Sequence, residues 1–306
     1  MTAGSEGSLQ YQPRVKRALC ACANSLPECL SGDVADSMAV GEKICTPGVR
    51  DGERSEVRLL TQLTPEQERQ IVRQCRAHRH ARYLVDLKLS YGEILRGFVV
   101  DRGVMRPEAM TSVMLARCLH FANGLYCDRD CLDVGCGTGV QGIVMAIRGA
   151  RHVVLSDVAP SAVRNTEENL HRFQLGGRAR VVRGDLFECI DGDYDIIVFN
   201  HPFFVGHPSH NLRHKLETNL AAGAFINDSL EDPDLIHRFL AQARSFLRKG
   251  GTIVMPYYQL AGAPNDPAVQ GPRHGYKVFE HFRASVVTGL QRGVVSVYRL
   301  AHRNSR

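Results

Sequence analysis

Residues 131–139, Cys-Leu-Asp-Val-Gly-Cys-Gly-Thr-Gly, constrain this chain more than any other stretch. A short apolar run leads into Asp133, and Gly135, Gly137 and Gly139 follow at alternate positions. A segment of helical character, 140–148, comes next. Glycine takes left-handed backbone without steric cost, so three in this spacing spell a tight turn between a strand and a helix. Such a turn lets the backbone approach a nucleotide-like ligand closely.

The rest of the chain alternates in the same sense. Short apolar runs at 131–134, 152–156, 179–182, 194–199 and 252–255 read as strands, and 276–287 and 294–300 as a closing pair. Helices are predicted over 110–121, 161–173 and 233–249. The last is capped by Asp232, opened by Pro233 and ended by Gly250-Gly251. Strands alternating with helices predict an α/β fold: an open, mostly parallel sheet of seven strands with helices on both faces. In such sheets a ligand lies beyond the carboxyl ends of the strands, near the point where strand order reverses.

The strand ends are therefore the place to look. The first ends at Asp133 and the glycine turn, the second at Asp157. The third runs into Gly184-Asp185-Leu186, the fourth into Asn200-His201-Pro202-Phe203-Phe204. A carboxylate about twenty residues beyond the glycine turn, as Asp157 is, can accept both hydroxyls of a ribose. Asp185 can accept a hydrogen bond from an adenine amino group.

Upstream, residues 1–60 mix Gly, Ser, Pro and scattered charge without a period, and are expected to be a partly disordered extension. Thr64, Pro65 and Gln67 form a helix-start signature with a capping box. The basic segment that follows, to residue 88, is read as helix, and 61–98 as a helical N-terminal segment ahead of a catalytic domain at 99–306. A short strand is expected at 99–105, and the Pro-rich stretch 257–276 as an ordered loop flanking the substrate.

The composition, 44% hydrophobic and 23% charged over 306 residues, is that of a soluble globular protein. No apolar stretch has the length of a membrane span, and residues 1–12 lack the apolar core of a secretory signal, so a cytoplasmic location is expected. The net charge of +6 favours an anionic partner only mildly. Ten cysteines contain no Cys-x-x-Cys pair, which argues against structural zinc. His207, His210 and His214 are read as part of a substrate-side loop, with no metal expected. Oligomeric state has no signature here.

The pattern Asp-x-Gly-x-Gly-x-Gly differs from the Gly-x-Gly-x-x-Gly of nicotinamide enzymes and resembles the first motif of class I S-adenosylmethionine-dependent methyltransferases. The resemblance implies a Rossmann-like fold with S-adenosylmethionine as cofactor. It places the methionine part on Asp133, Gly135, Cys136, Gly137 and Gly139. The ribose falls to Asp157 and Val158, the adenine to Asp185 and Leu186, and Asn200 closes the set. Asn200-His201-Pro202-Phe203 resembles the Asn-Pro-Pro-Tyr/Phe motif of amino methyltransferases, which act on glutamine side chains and nucleobase amines. It makes Asn200, His201, Pro202 and Phe203 the catalytic candidates. A planar amine is a poor nucleophile, and two carbonyl acceptors can orient it and stabilise the charge that develops on it.

The HemK-type release-factor glutamine methyltransferases and small nucleic-acid N-methyltransferases resemble residues 91–300 best. His201 departs from the motif's first proline. It keeps open an O- or small-molecule N-methyltransferase that uses His201 as a base. A module that binds the cofactor without turnover is the non-enzyme alternative. The acceptor itself, protein glutamine, nucleic acid or small molecule, stays open, and no membrane partner is expected.

Overall fold

The structure is a computed structural model, and it describes residues 62–78, 80–218, 234–288 and 291–303. Helix α1 (Pro65–Ala77) precedes a hairpin of β1 (Tyr83–Ser90) and β2 (Glu93–Val100). The main layer follows as α2 (Met110–Phe121), β3 (Asp130–Val134), α3 (Val140–Ile147), β4 (His152–Asp157), α4 (Pro160–Arg172), β5 (Ala179–Arg183) and β6 (Tyr194–Phe199). Beyond β6 lie α5 (His210–Thr218), α6 (Leu235–Ala243), β7 (Leu247–Tyr258), α7 (Pro267–Arg273), β8 (Tyr276–Thr288) and β9 (Gln291–His302).

The sheet runs β5-β4-β3-β6-β7-β9-β8, which is the seven-stranded, mostly parallel arrangement expected from the sequence. The first five strands in this order are parallel, and β9 is antiparallel to both β7 and β8. Strand order reverses between β3 and β6, so the crevice opens beside the glycine turn and Asn200.

Period-two burial divides the core into two layers. In β6, Ile196 and Val198 join the apolar cluster of α2, α3 and α4, whereas Ile197 and Phe199 join that of α1, α5 and α6. A strand buried on both faces needs a continuous apolar run, and Tyr-Asp-Ile-Ile-Val-Phe supplies most of one. Each fully buried side chain of this kind contributes roughly 1.5–3 kcal/mol.

Three expected elements differ. The helix begun at Thr64 has the predicted capping box, but it ends at Ala77 instead of continuing to residue 88. From Tyr83 the chain is strand: Leu87 and Leu89 face inward while Asp86 and Lys88 face out. Charge content drew attention there, and the two-residue period of Val85, Leu87 and Leu89 was the deciding signal. The segment 61–98 is thus a helix followed by a hairpin, and β2 ends at Val100, short of the strand expected to reach 105. The helix read over 233–249 stops at Ala243, and Leu247 already pairs with Tyr194 as the first residue of β7. Asp232 and Pro233, its expected start, lie outside the described residues, as does the 1–60 extension. Third, His210 and His214 belong to α5, not to a loop.

Helix α1 is fastened at both flanks. Glu68 accepts hydrogen bonds from the Ser209 amide (2.6 Å) and hydroxyl (2.9 Å). Gln67 donates to the Leu260 and Ala261 carbonyls (3.2 and 3.1 Å). At its C-terminal end, the Arg106 amide donates to His78 Nε2 (3.2 Å).

Candidate active site

A cavity of about 350 Å³ lies at the carboxyl ends of β3, β4 and β6, and Asp157, Asp185, Asn200 and Phe203 all line it. The size is that of a small-cofactor site. The glycine turn forms one wall. Gly135, Gly137 and Gly139 take φ of 63°, 58° and 79°, values that ordinary side chains rarely adopt. Gly135 and Gly137 face the cavity, and a Cβ on Gly137 would stand 3.8 Å from Met105, on the opposite wall. The missing side chain is thus a cradle for a ligand.

Asp157 holds this turn to the sheet. Its Oδ2 accepts the Gly137 amide and its Oδ1 the Ala159 amide, both at 2.9 Å. Burial pushes its carboxyl above the usual carboxylate range, and the Ala159 and Gly137 amides oppose that push. Each carboxylate oxygen has a second lone pair for a ligand hydroxyl. Val158, Leu186 and Phe204 complete the apolar wall. Asp185 reaches the same cavity, where it is paired with Arg238 of α6 at 2.6 Å.

Other expected site residues are placed elsewhere. Asp133 shares the face of Cys131, two residues earlier, and is buried away from the cavity. Its Oδ2 accepts the Gly142 amide at 2.8 Å, in the first turn of α3, which has no side-chain cap of its own. Burial pushes this carboxyl up to about 7, with the Gly142 amide opposing. Asp133 therefore caps α3 from the neighbouring strand. Cys136 is buried too, with its sulfur 3.4 Å from the Thr166 hydroxyl. Neither residue lines the cavity, and Gly139 does not line it either.

At the end of β6, Asn200 donates from Nδ2 to the Ser112 hydroxyl of α2 at 2.9 Å. That bond fixes the orientation of the amide and leaves Oδ1 as the group it can offer to an acceptor. The next three residues are braced by Asn265, in the segment between β7 and α7. The His201 Nε2–H donates to the Asn265 carbonyl at 3.0 Å, and Asn265 Nδ2 donates to the Pro202 carbonyl at 3.1 Å. The His201 ring stacks on Tyr257 at 5.9 Å, and Phe203 meets it edge-on at 5.2 Å. Only 2% of His201 is exposed, and burial pulls its imidazole down to about 4 against the opposing Asn265 bond. His201 is a neutral ring packed under the site.

That burial has a measurable consequence. A histidine whose folded pKa lies below its unfolded value of about 6.5 costs stability as pH falls through the interval between them. Through this residue the protein should be about 2 kcal/mol less stable at pH 5 than at pH 7. Denaturant unfolding of His201→Phe should lose that part of the pH slope. An unaltered slope would mean that the imidazole is not held neutral.

Ser112, Asn265, Arg238, Met105 and Gln74 were not among the expected site residues. Among the described residues, no group of three or more His, Cys, Asp or Glu could hold a metal ion.

The methyltransferase small-domain family matches residues 109–224, which is α2 through α5 and the strand ends that line the cavity. A release factor glutamine methyltransferase of Borreliella burgdorferi is 29% identical over 126 residues, covering 40% of this chain and 43% of that one. A ribosomal RNA small subunit methyltransferase C of Alcanivorax borkumensis is 32% identical over 134 residues, 42% of this chain and 34% of that one. The chain spans under two thirds of the length of the curated relatives it matches. Among solved structures, the T. thermophilus 16S rRNA methyltransferase in complex with AdoMet and guanosine superposes with a TM-score of 0.48 at 18% identity, covering 73% of this chain and 51% of that one. Through residues 109–224, the chain belongs to the methyltransferase small-domain family.

Proposed function

We propose that this chain is an S-adenosylmethionine-dependent methyltransferase acting on a planar nitrogen, either the side-chain amide of a protein glutamine or a nucleobase amine. The observation that carries the reading is the fixed Asn200 amide beside a glycine-walled cavity. S-Adenosylmethionine, when bound, supplies a sulfonium-borne methyl group. Asp157, Gly135 and Gly137 would hold it, with Asp185 and Leu186 at its far end.

The chain's own part is positioning. Asn200 Oδ1 and the His201 carbonyl accept the two N–H groups of the acceptor, which turns its nitrogen lone pair toward the cavity. Phe203 offers a ring for the planar group to pack on. Asn265 and Ser112 hold these acceptors still, so that no reorganisation is needed as charge develops. A general-base role for His201 has less support, because its ring is buried and its Nε2–H is committed to Asn265.

Among the described residues no helix is long and apolar enough to cross a membrane. A cytoplasmic setting is our reading, and free thiols such as Cys75, Cys131 and Cys136 fit it.

The test has two steps. Calorimetric titration with S-adenosylmethionine should give saturable binding at one site. Extract incubated with the protein and labelled S-adenosylmethionine should then gain label in its protein or RNA fraction. Binding without any labelled fraction would favour the non-catalytic module, and label only in small molecules would favour the biosynthetic reading.

A further inference from the structure

A second cavity, of about 230 Å³, lies behind the first, between α1 and the start of α2. The two share Gln74, Met105 and Phe203 as a common wall. Thr111 lines the second cavity, and its neighbour Ser112 anchors Asn200. The second cavity therefore reaches the proposed amine cradle from the side opposite the cofactor residues.

Its lining has a definite chemistry. Met105, Met110, Phe203 and Tyr258 give apolar and aromatic surface for a flat ring. Gln70, only 6% exposed, has a buried Oε1 with no hydrogen-bond partner in the structure. An amide oxygen left in this state costs about 1–3 kcal/mol, which a ligand N–H would recover. Arg73 and Arg106 also line the cavity, and among the described residues lining it none is acidic. Arg106 is held by Glu108 at 3.0 Å and by the Ala77 carbonyl at 3.1 Å, so it belongs to the wall. Arg73, exposed on α1, supplies positive charge at the rim.

Resting on the reading above, we infer that this second cavity seats the methyl acceptor, that Gln70 reads its polar edge, and that the acceptor is a nucleotide. A flat ring fills the apolar walls. A ring N–H satisfies Gln70 Oε1, and the phosphate lies toward Arg73. A glutamine side chain would bring no ring for the aromatic wall and no negative charge for Arg73. Because α1 is fastened to Ser209 and to Leu260 and Ala261, the seat is in place before the acceptor arrives.

The test titrates the full chain, loaded with S-adenosylhomocysteine, with guanosine 5′-monophosphate, adenosine 5′-monophosphate, guanosine, and a glutamine-containing tripeptide. At least one nucleotide should bind. Gln70→Leu, close in volume but without the acceptor oxygen, should weaken it about tenfold or more. Arg73→Ala should weaken it several-fold and Arg73→Lys should restore most of that loss, whereas nucleoside binding should be indifferent to both. S-Adenosylmethionine affinity should stay within about twofold in every variant. Gln70→Glu, which keeps an acceptor oxygen, guards against a folding defect in Gln70→Leu, and its melting temperature is recorded beside that of Gln70→Leu. Nucleotide binding unaffected by Gln70→Leu would overturn the seat, as would binding of the tripeptide alone. A wild-type chain that fails to bind S-adenosylmethionine overturns the parent reading instead, and this one with it.

Discussion

Asn200→Ala is expected to lower kcat by about 10²–10³-fold while leaving S-adenosylmethionine affinity within about twofold. The size follows from what a single preorganised group contributes when it meets charge that develops only during reaction. The separation of the two effects follows from geometry. Asn200 is tied to Ser112, and the turn amides are tied to Asp157, so deleting one amide leaves the other wall standing. Ser112→Ala should lie between wild type and Asn200→Ala, since it keeps the carbonyl but frees it to rotate. Single-turnover kinetics at saturating cofactor measures the first effect and calorimetry the second. Equal turnover in Asn200→Ala and wild type would remove the amide from the mechanism.

Asp157→Ala carries the other large effect, in the opposite column: cofactor affinity collapses. The carboxylate has two tasks, holding the Gly137 and Ala159 amides and accepting ligand hydroxyls. Hydrogen bonds to a charged group contribute about 1.5–3 kcal/mol each. Losing two toward the ligand raises Kd by roughly 100-fold, at about 1.4 kcal/mol per factor of ten. Asp157→Asn keeps one acceptor oxygen and should lose about tenfold. Circular dichroism checks that the sheet survives, since Asp157 is the last residue of β4. An Asp157→Ala affinity within threefold of wild type would mean that the ribose lies elsewhere.

These two residues were legible in the sequence for the same reason. A strand in a parallel sheet is a continuous apolar run, and its first polar residue marks the mouth of the crevice. Asp133 satisfies that rule and still turns inward. A strand end is visible in sequence, but which face a side chain takes depends on register, and a one-residue change of phase exchanges cavity for core. The hairpin of β1 and β2 was hidden by its lysine, arginine and acidic content, although its inward leucines keep period two. The run 244–251 reads equally well as helix until β6 is there to pair with it. Gln70, Ser112 and Asn265 could not be found from the chain alone. Each matters through a partner or a cavity assembled from distant segments, as Asn265 does for His201 and Pro202. No local pattern marks such a residue.

The placement of β9 between β7 and β8 has a bearing on synthesis at the ribosome. As the chain emerges, β7 can add to β6 as soon as it is made, but its other edge has no neighbour. The strand made next, β8, belongs one position further out and cannot fill that gap. Until β9 follows, a nascent chain carries a finished parallel half-sheet with an open row of backbone donors and acceptors along β7, the kind of edge that recruits foreign strands. The cofactor crevice beside β3 and β6 is complete in outline before that edge is sealed. A ligand able to bind there would find its site on a protein whose sheet is still unfinished.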